Sequence, residues 1–266
     1  MTFEASTLSS KTVSSPLGGS AEHRFYVGFA VVMAAALMLG FARTFFLRAY
    51  FPEWAQAHGA PEPYFLVHGT LFSLWFVLLI VQPSLVAAGR IGFHQRLGRI
   101  GAGLAAVMVV VGAVGALIAA RRPTGFIDVP VPPLQFLTIP FAGLVLFATF
   151  VMLAILNRGD PQSHKRYMLL ASIGILEAGL ARWPFEIMTA ASPIPGFDML
   201  CVFLDLFLLP IVAWDLVSRG RLHPVTLWGG LAVIASQPLR LLLGQTDAWL
   251  AFAGWAVGLL GPSSPG

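Results

Sequence analysis

The residues best placed to do chemistry in this sequence are two arginines that share one setting, Gly40-Phe41-Ala42-Arg43 and Gly179-Leu180-Ala181-Arg182. Each arginine lies near the end of a long apolar segment. An ionisable side chain inside such a segment is costly in a membrane, so it is a functional candidate by default. A guanidinium group can also hold a carboxylate or phosphate through two parallel hydrogen bonds. The pattern therefore predicts anion chemistry, and its recurrence suggests an internal duplication.

Titratable partners follow from the order of the apolar segments. Two antiparallel segments joined by a short turn place Arg43 at the depth of His68, and Arg182 at the depth of Asp205. Distance to Arg221 instead favours Asp198 as the repeat equivalent of His68. Glu177 lies about 140° around the helix from Arg182, so it should face a different neighbour, whereas Glu186 shares the face of Arg182. We predict a ligand-binding site in the outer half of the membrane, lined by Arg43, His68, Glu177, Arg182, Glu186, Asp205 and Arg240. The alternative is an ion-pair network that only orients helices.

Four histidines mark the opposite ends of the apolar segments: His23, His94, His164 and His223. Imidazole pairs can ligate b-type haem, so these histidines predict a redox alternative with haem or quinone. Their position at helix boundaries, three of them beside Lys or Arg, also fits anchoring near lipid headgroups.

Composition identifies the elements that must hold these residues. Hydrophobic residues make up 57% of the chain, charged residues 11%, and the mean hydropathy is +0.81. These values indicate an integral membrane protein without a large soluble domain. The single cysteine allows no disulfide framework or Cys-rich metal cluster. No zinc motif, phosphate loop or catalytic acid, base and nucleophile set is present, so no catalytic or metal-binding residue is assigned.

The predicted fold is an all-α transmembrane bundle of seven to eight helices. A polar tail covers residues 1–22, and the membrane domain covers 23–266. The eighth apolar segment is too short to span comfortably, because its 14 residues rise about 21 Å against a hydrocarbon core of about 30 Å. The segments lie at 25–47, 64–87, 98–120, 134–156, 167–190, 197–217, 225–243 and 247–260.

Orientation follows from the basic residues in alternate loops. Ten Lys and Arg residues fall on the side of the N-terminus, and three, Arg48, Arg121 and Arg122, fall on the other. Since cytoplasmic loops retain positive charge, we expect a multi-pass membrane protein with a cytoplasmic N-terminus. The net charge of +4 then reflects topology and not nucleic-acid binding.

An internal repeat extends the tetrapeptide match. His23-Arg24-Phe25-Tyr26 matches His164-Lys165-Arg166-Tyr167, and the segment ends around Arg90 and Arg221 are also alike. Residues 23–156 and 164–260 would then be two repeats of four helices. Because four is an even number of spans, the repeats would be parallel. Short basic loops and Gly-rich helices look alike in many membrane proteins, which is the competing explanation.

Several short motifs also carry a resemblance. Val67-His68-Gly69, Gln82-Pro83, Gly89-Arg90, His94, Arg96-Leu97-Gly98 and Ser163-His164-Lys165-Arg166-Tyr167-Met168 resemble a family of bacterial multispanning membrane proteins of unknown function. The resemblance covers roughly residues 64–170. It implies a helical bundle in a bacterial inner membrane and transfers no catalytic residue.

Two functional classes are compatible with these patterns, beside a non-catalytic scaffold or assembly factor. We favour binding or transport of a small polar or anionic molecule in the outer cluster. The other is a membrane redox protein that binds haem or quinone through the histidines.

Overall fold

The computed structural model describes residues 19–123, 125–126, 129, 131–183 and 199–261, and every regular element in these ranges is helical. The prediction of an all-α fold is thus confirmed for the described residues. The helices are α1 (Gly19–Gly40), α2 (Pro52–His58), α3 (Pro63–Ala87), α4 (Ile91–Arg121), α5 (Pro133–Phe136), α6 (Thr138–Leu156), α7 (Pro161–Leu180), α8 (Met199–Leu206), α9 (Leu209–Arg219), α10 (Pro224–Gly244) and α11 (Asp247–Gly258).

Six helical stretches are long and apolar enough to cross a membrane. They are Gly19–Gly40, Pro63–Ala87, Ile91–Arg121, Pro133–Leu156, Leu200–Arg219 and Pro224–Gly244. Many large apolar side chains on these stretches point away from the protein, including Val32, Val110 and Leu242. Such an exterior needs lipid around it, so the fold is that of a multi-pass membrane protein.

Several helices extend beyond the apolar segments predicted from the sequence. α1 begins at Gly19, so residues 19–22 of the predicted tail are helical; residues 1–18 lie outside the described ranges. α4 begins at Ile91, seven residues before its apolar segment, and includes His94 and Arg96. Hydropathy marks only the part of a helix that sits in hydrocarbon, whereas polar residues at the membrane boundary still form helical hydrogen bonds.

Helix α7 lies at the centre of the molecule. It packs against α1, α6, α8 and α10, and 13 of its 20 residues are buried. It carries Lys165, Arg166 and Glu177, and it is not among the six apolar stretches. The helix begins with an N-cap, because the Asp160 carboxylate accepts from the Gln162 N–H and Pro161 occupies the first turn. The surrounding helices thus enclose a polar helix.

Small residues let α7 approach its neighbours closely. A Cβ on Gly143 of α6 would lie 3.1 Å from the Gly174 carbonyl oxygen, so these two backbones are in contact. On the α3 side, Trp75 Nε1 donates to the Ser172 hydroxyl at 3.0 Å. These contacts fix the rotation of α7 about its axis, and with it the direction in which each polar side chain points.

At the end of the bundle opposite the start of α1, the two arginines at the C-terminus of α4 connect neighbouring segments. Arg121 donates to the Leu260 carbonyl at 2.7 Å, and Arg122 forms a 2.7 Å salt bridge with Glu62. Helix α11 ends near this point. Its 12 residues rise about 18 Å, well short of a hydrocarbon core of about 30 Å.

Candidate binding site

The two Gly-x-Ala-Arg segments pack directly against each other where α1 and α7 end. A Cβ on Gly40 would lie 2.9 Å from Gly179 Cα and would overlap the Gly179 carbonyl. A Cβ on Gly179 would in turn lie 3.3 Å from Leu37 Cα. Trp183 Nε1 donates to the Ala36 carbonyl at 2.9 Å, which adds a hydrogen bond across this contact. Glycine is therefore required at position 40, because only glycine allows this backbone approach, whereas a Cβ at position 179 would be accommodated by a shift of a few tenths of an ångström.

Beyond Gly40 the chain widens into a π-helical turn, Ala42–Phe46, which contains Arg43. The Leu47 N–H donates to the Ala42 carbonyl, five residues back, at 2.7 Å. The ring of Phe45 lies against α3, where a Cβ on Gly69 would be 2.8 Å from Phe45 Cε2. The turn thus holds Arg43 beside the start of α3. Single π turns inside helices are frequent at functional sites.

His68 lies next to this contact on α3. Its ring stacks on Phe72 with centroids 4.2 Å apart, and a Cβ on Gly115 of α4 would lie 3.5 Å from its Nδ1. Within the described part of the chain, neither His68 Nδ1 nor Arg43 Nε has a hydrogen-bond partner of normal geometry, although both atoms are buried and the Val111 backbone lies near the His68 ring. Buried polar atoms are normally paired with protein or with ordered water, so these two require a partner.

Arg182 completes this group. Its guanidinium lies 4.9 Å from the centre of the Phe41 ring, and its Nη1 donates to the Ala178 carbonyl at 2.6 Å. Three of the predicted site residues, Arg43, His68 and Arg182, therefore gather where α1, α3 and α7 meet. We call these three residues the arginine–histidine cluster.

Three other predicted residues gather on a different side of α7. Arg240 of α10 holds the Glu177 carboxylate through two hydrogen bonds of 2.5 Å, and both side chains are nearly inaccessible. The sulfur of Cys201 lies 4.0 Å from Arg240 Nη2. Asp205 of α8 accepts a hydrogen bond from Gln237 Nε2 at 2.7 Å. We call Glu177, Asp205, Gln237 and Arg240 the carboxylate cluster.

Within the carboxylate cluster, the opposite charges of Glu177 and Arg240 neutralise each other. Within the described residues, Arg240 Nε and Gln237 Oε1 are buried without a partner. One is a donor and the other an acceptor, and they lie three residues apart on one face of α10, so one buried water can satisfy both. Glu177 faces a different neighbour from Arg182, as its position on the helix predicts.

The remaining sequence predictions about this region stay open. The approach of Arg182 to Asp205 stays a prediction, and Glu186 and Asp198 lie outside the described residues. No hydrogen bond joins His68 Nδ1 to Arg43 Nε, although His68 and Arg43 lie on adjoining elements.

A buried ion pair at the other end of α7 was missed by sequence reasoning. Arg166 and Asp215 are fully buried, with Arg166 Nε donating to Asp215 Oδ1 at 3.0 Å. Arg166 Nη1 also donates to the Gln162 carbonyl at 2.8 Å, and Asp215 Oδ2 accepts from the Thr226 hydroxyl at 2.5 Å and from the His223 N–H at 3.0 Å. Asp215 is an isolated acidic residue in an apolar segment, which was the available signal.

Two of the four histidines form a contact. His94 and His164 have ring centroids 6.3 Å apart with the rings nearly perpendicular. His164 Nδ1 contacts the Ala154 carbonyl at 2.8 Å, and the Gln82 amide, oriented by its hydrogen bonds, donates to His94 Nδ1 at 2.6 Å. His23 lies half-buried in the first turns of α1. The contacting histidines therefore come from different positions of the proposed repeats.

The hydrogen bonds of His94 and His223 do not suit haem ligation, whereas a His164 ring that donates from Nδ1 to the Ala154 carbonyl leaves its Nε2 lone pair available. His94 Nδ1 accepts from Gln82, and His223 Nδ1 accepts from the Val225 N–H at 3.1 Å. In a neutral ring an accepting Nδ1 puts the proton on Nε2, which removes the lone pair that iron needs. Burial and the nearby charges of Arg166 and Arg219 lower the pKa of His223, so its ring stays neutral near pH 7. His223 acts as the N-cap of α10.

Comparisons with known proteins give no relative for this arrangement. No family model, curated protein or solved structure matches the chain, so the resemblance to multispanning proteins of unknown function stays a hypothesis.

Proposed function

We propose that this membrane protein binds a small anionic molecule at the arginine–histidine cluster, as a binding or transport protein. The observation that carries the proposal is the pair of unpartnered buried atoms, Arg43 Nε and His68 Nδ1, in the same region as the Arg182 guanidinium. Within the described residues Arg43 forms no salt bridge. Leaving one such polar atom unsatisfied costs about 1–3 kcal/mol, so a ligand or water must fill the site.

The chemistry of the cluster favours a carboxylate or phosphate group. Two guanidinium groups supply planar, permanently charged donors, and His68 can donate or accept at Nδ1 according to its tautomer. The Phe41 ring holds Arg182 from one side, which restricts the directions in which it can donate. A ligand with at least one acidic group matches these donors.

The carboxylate cluster is assigned a structural role. Because Glu177 and Arg240 already neutralise each other through two hydrogen bonds, little charge is left there for a ligand. The pair instead fixes the register between α7 and α10. The proposed ligand site thus centres on three of the seven predicted residues, with Asp205, Glu177 and Arg240 as neighbours across α7, and the place of Glu186 in it stays a prediction.

We further propose that α7 also crosses the membrane, surrounded by the six apolar stretches. Its charges are compensated within the protein by Asp215, by Glu22 and by Arg240. The packing of Gly40 against Gly179 supports a parallel 4+4 repeat, because it joins the same position of both repeats, as an axis between α1 and α7 requires. A cytoplasmic N-terminus in a bacterial inner membrane remains part of this proposal.

A ligand search on the purified protein tests the proposed function. We expect mono- and dicarboxylates or inorganic phosphate to raise the thermal midpoint of the wild-type protein in detergent, since a ligand stabilises the state that binds it. Organic cations of the same size serve as the control. A midpoint that responds to none of these anions, or equally to the cations, would contradict the proposal.

The same preparation tests the redox alternative. A reducible haem absorbance in the purified protein would favour that alternative despite the hydrogen bonds of His94 and His223. A cellular assembly that depends on this protein tests the scaffold alternative. If that assembly keeps full activity when Arg43 and Arg182 are both replaced by Gln, the result would favour the scaffold.

A further inference from the structure

A second, apolar site lies on the lipid-facing side of the bundle. A groove of about 490 Å³ runs between α1 and the junction of α8 with α9. Its apolar walls come from two sides, Phe25, Phe29 and Val32 of α1 and Leu206, Phe207 and Pro210 opposite, and its floor includes Gly28. Arg24 is the one charged residue among those that line it. The groove is separate from the arginine–histidine cluster, which lies at the far end of α1.

The chain creates this groove in two ways. α8 ends at Leu206 and α9 begins at Leu209, with Pro210 in its first turn. Proline has no N–H to donate to the Leu206 carbonyl, so the helix is interrupted there. The chain therefore changes direction on this side of the groove. At the floor of the groove Gly28 has no side chain, and nothing lies within 4 Å of the Cβ that another residue would add there.

Arg24 sits at the membrane boundary of the groove. The neighbouring Phe25 stacks on Trp214 of α9 with centroids 4.7 Å apart, and Trp214 lies about one turn before Arg219, where α9 ends. Tryptophan and arginine near helix ends typically sit at the level of the lipid headgroups. From Arg24 to Val32 the groove extends about 12 Å along α1 towards the membrane interior.

We propose that this groove is the binding site of an anionic phospholipid from the leaflet on the N-terminal side. The exposed Arg24 guanidinium binds the phosphate, and one acyl chain lies against Phe29, Val32 and Phe207. Charge and shape agree with this occupant, since a cation marks the headgroup end and the rest of the lining is apolar. Within the described residues Arg24 forms no salt bridge, so its charge is available to the phosphate.

Filling the groove tests the proposal without disturbing the fold. Gly28→Leu places a side chain in open space within the groove, and replacing glycine in a helix favours folding. Gly103→Leu is a matched control, because Gly103 is an exposed glycine within α4 whose added Cβ also meets nothing within 4 Å. The probe is dioleoyl phosphatidylglycerol, added to delipidated protein and counted by native mass spectrometry.

We expect one tightly held phosphatidylglycerol on the wild type and on Gly103→Leu, and at least about fivefold lower occupancy on Gly28→Leu. In the wild type, phosphatidylglycerol should be preferred to phosphatidylcholine by about fivefold, and Arg24→Gln should remove this preference. Equal occupancy in all three proteins, or no headgroup preference in the wild type, would overturn the proposal. A non-phospholipid molecule that occupies the groove in its place would also overturn it.

Discussion

The two repeated arginines show what residue types and spacing can predict. Arg43, His68 and Arg182 are site candidates on sequence alone, because charged residues stand out in apolar segments. Their side-chain partners cannot be predicted in the same way, since counting across a hairpin gives depth in the membrane and says nothing of rotation about the helix axis. Packing against Gly40 and Phe41 sets the rotation at Arg182, and those contacts come from a helix far away in sequence.

The Arg166–Asp215 pair was missed for a related reason. A basic residue at the start of a helix looks like a topology signal, and many such residues face solvent. Arg166 is instead fully buried, because the surrounding helices extend past it. Only the position of Asp215 in three dimensions distinguishes a buried partner from a surface charge.

The first prediction concerns the buried pair in the carboxylate cluster. Glu177→Gln and Arg240→Met should each destabilise the protein by about 3–5 kcal/mol, since each leaves one buried group without its partner. The double variant should be less destabilised than the sum of the two. Reversible unfolding in mixed micelles measures the three free energies. Additive effects would show that the two residues are not coupled.

At the scale of elements, apolar segments predict where helices lie but do not show where a helix is interrupted or widens into a π turn. All eight predicted segments overlap helices of the structure, with α3 and α10 matching within one residue at each end. The π-helical turn after α1 was not predicted, because Phe41-Ala42-Arg43-Thr44-Phe45-Phe46 fits an α or a π turn equally well by hydropathy. The break before α9 was also missed, although Pro210 marks it.

The second prediction concerns the contact between α1 and α7. Gly40→Ala should destabilise the protein by about 1–3 kcal/mol, because its methyl group would overlap the Gly179 backbone. Gly28→Ala on the same helix is the control and should stabilise it by up to about 1 kcal/mol, since nothing obstructs the methyl group. Thermal unfolding of both variants measures the difference. A Gly40→Ala variant as stable as Gly28→Ala would rule out the close approach.

The third prediction concerns the N-cap of α7. Hydrogen bonds from the Ser163 hydroxyl and the Gln162 N–H hold the pKa of Asp160 below its ordinary value. A lowered folded pKa stabilises the protein above the unfolded pKa, and that contribution is lost as pH falls through the folded value. Asp160→Ala should therefore cost about 1 kcal/mol at pH 7 and progressively less below about pH 4. A cost independent of pH in thermal unfolding would contradict this assignment.

At the scale of the whole molecule, the bundle surrounds one polar helix with apolar ones. Composition predicted a membrane bundle, because a chain with 57% hydrophobic residues has too few polar residues to cover its apolar surface in water. It did not predict that a helix with three charged residues would be the central one. A buried helix can carry charge when its neighbours supply opposite charges, as Asp215 and Arg240 do for α7.

The fourth prediction concerns orientation in the membrane. In a Cys201→Ala background, Gly159→Cys should react with a membrane-impermeant thiol reagent only from the cytoplasmic side, and Ala60→Cys only from the other side. Both positions are exposed and lie at opposite ends of the bundle. Labelling of right-side-out and inverted vesicles measures the accessibility. The reverse pattern would place the N-terminus outside.

The central claim is that the arginine–histidine cluster binds an anion. Isothermal titration with the best anion from the ligand search should give at least about tenfold weaker binding for Arg43→Gln, since a charge-assisted hydrogen bond contributes about 1.5–3 kcal/mol. The control Arg158→Gln, at an exposed turn at the other end of the bundle, should bind like the wild type. Wild-type affinity in Arg43→Gln, or equal weakening in both variants, would contradict the claim.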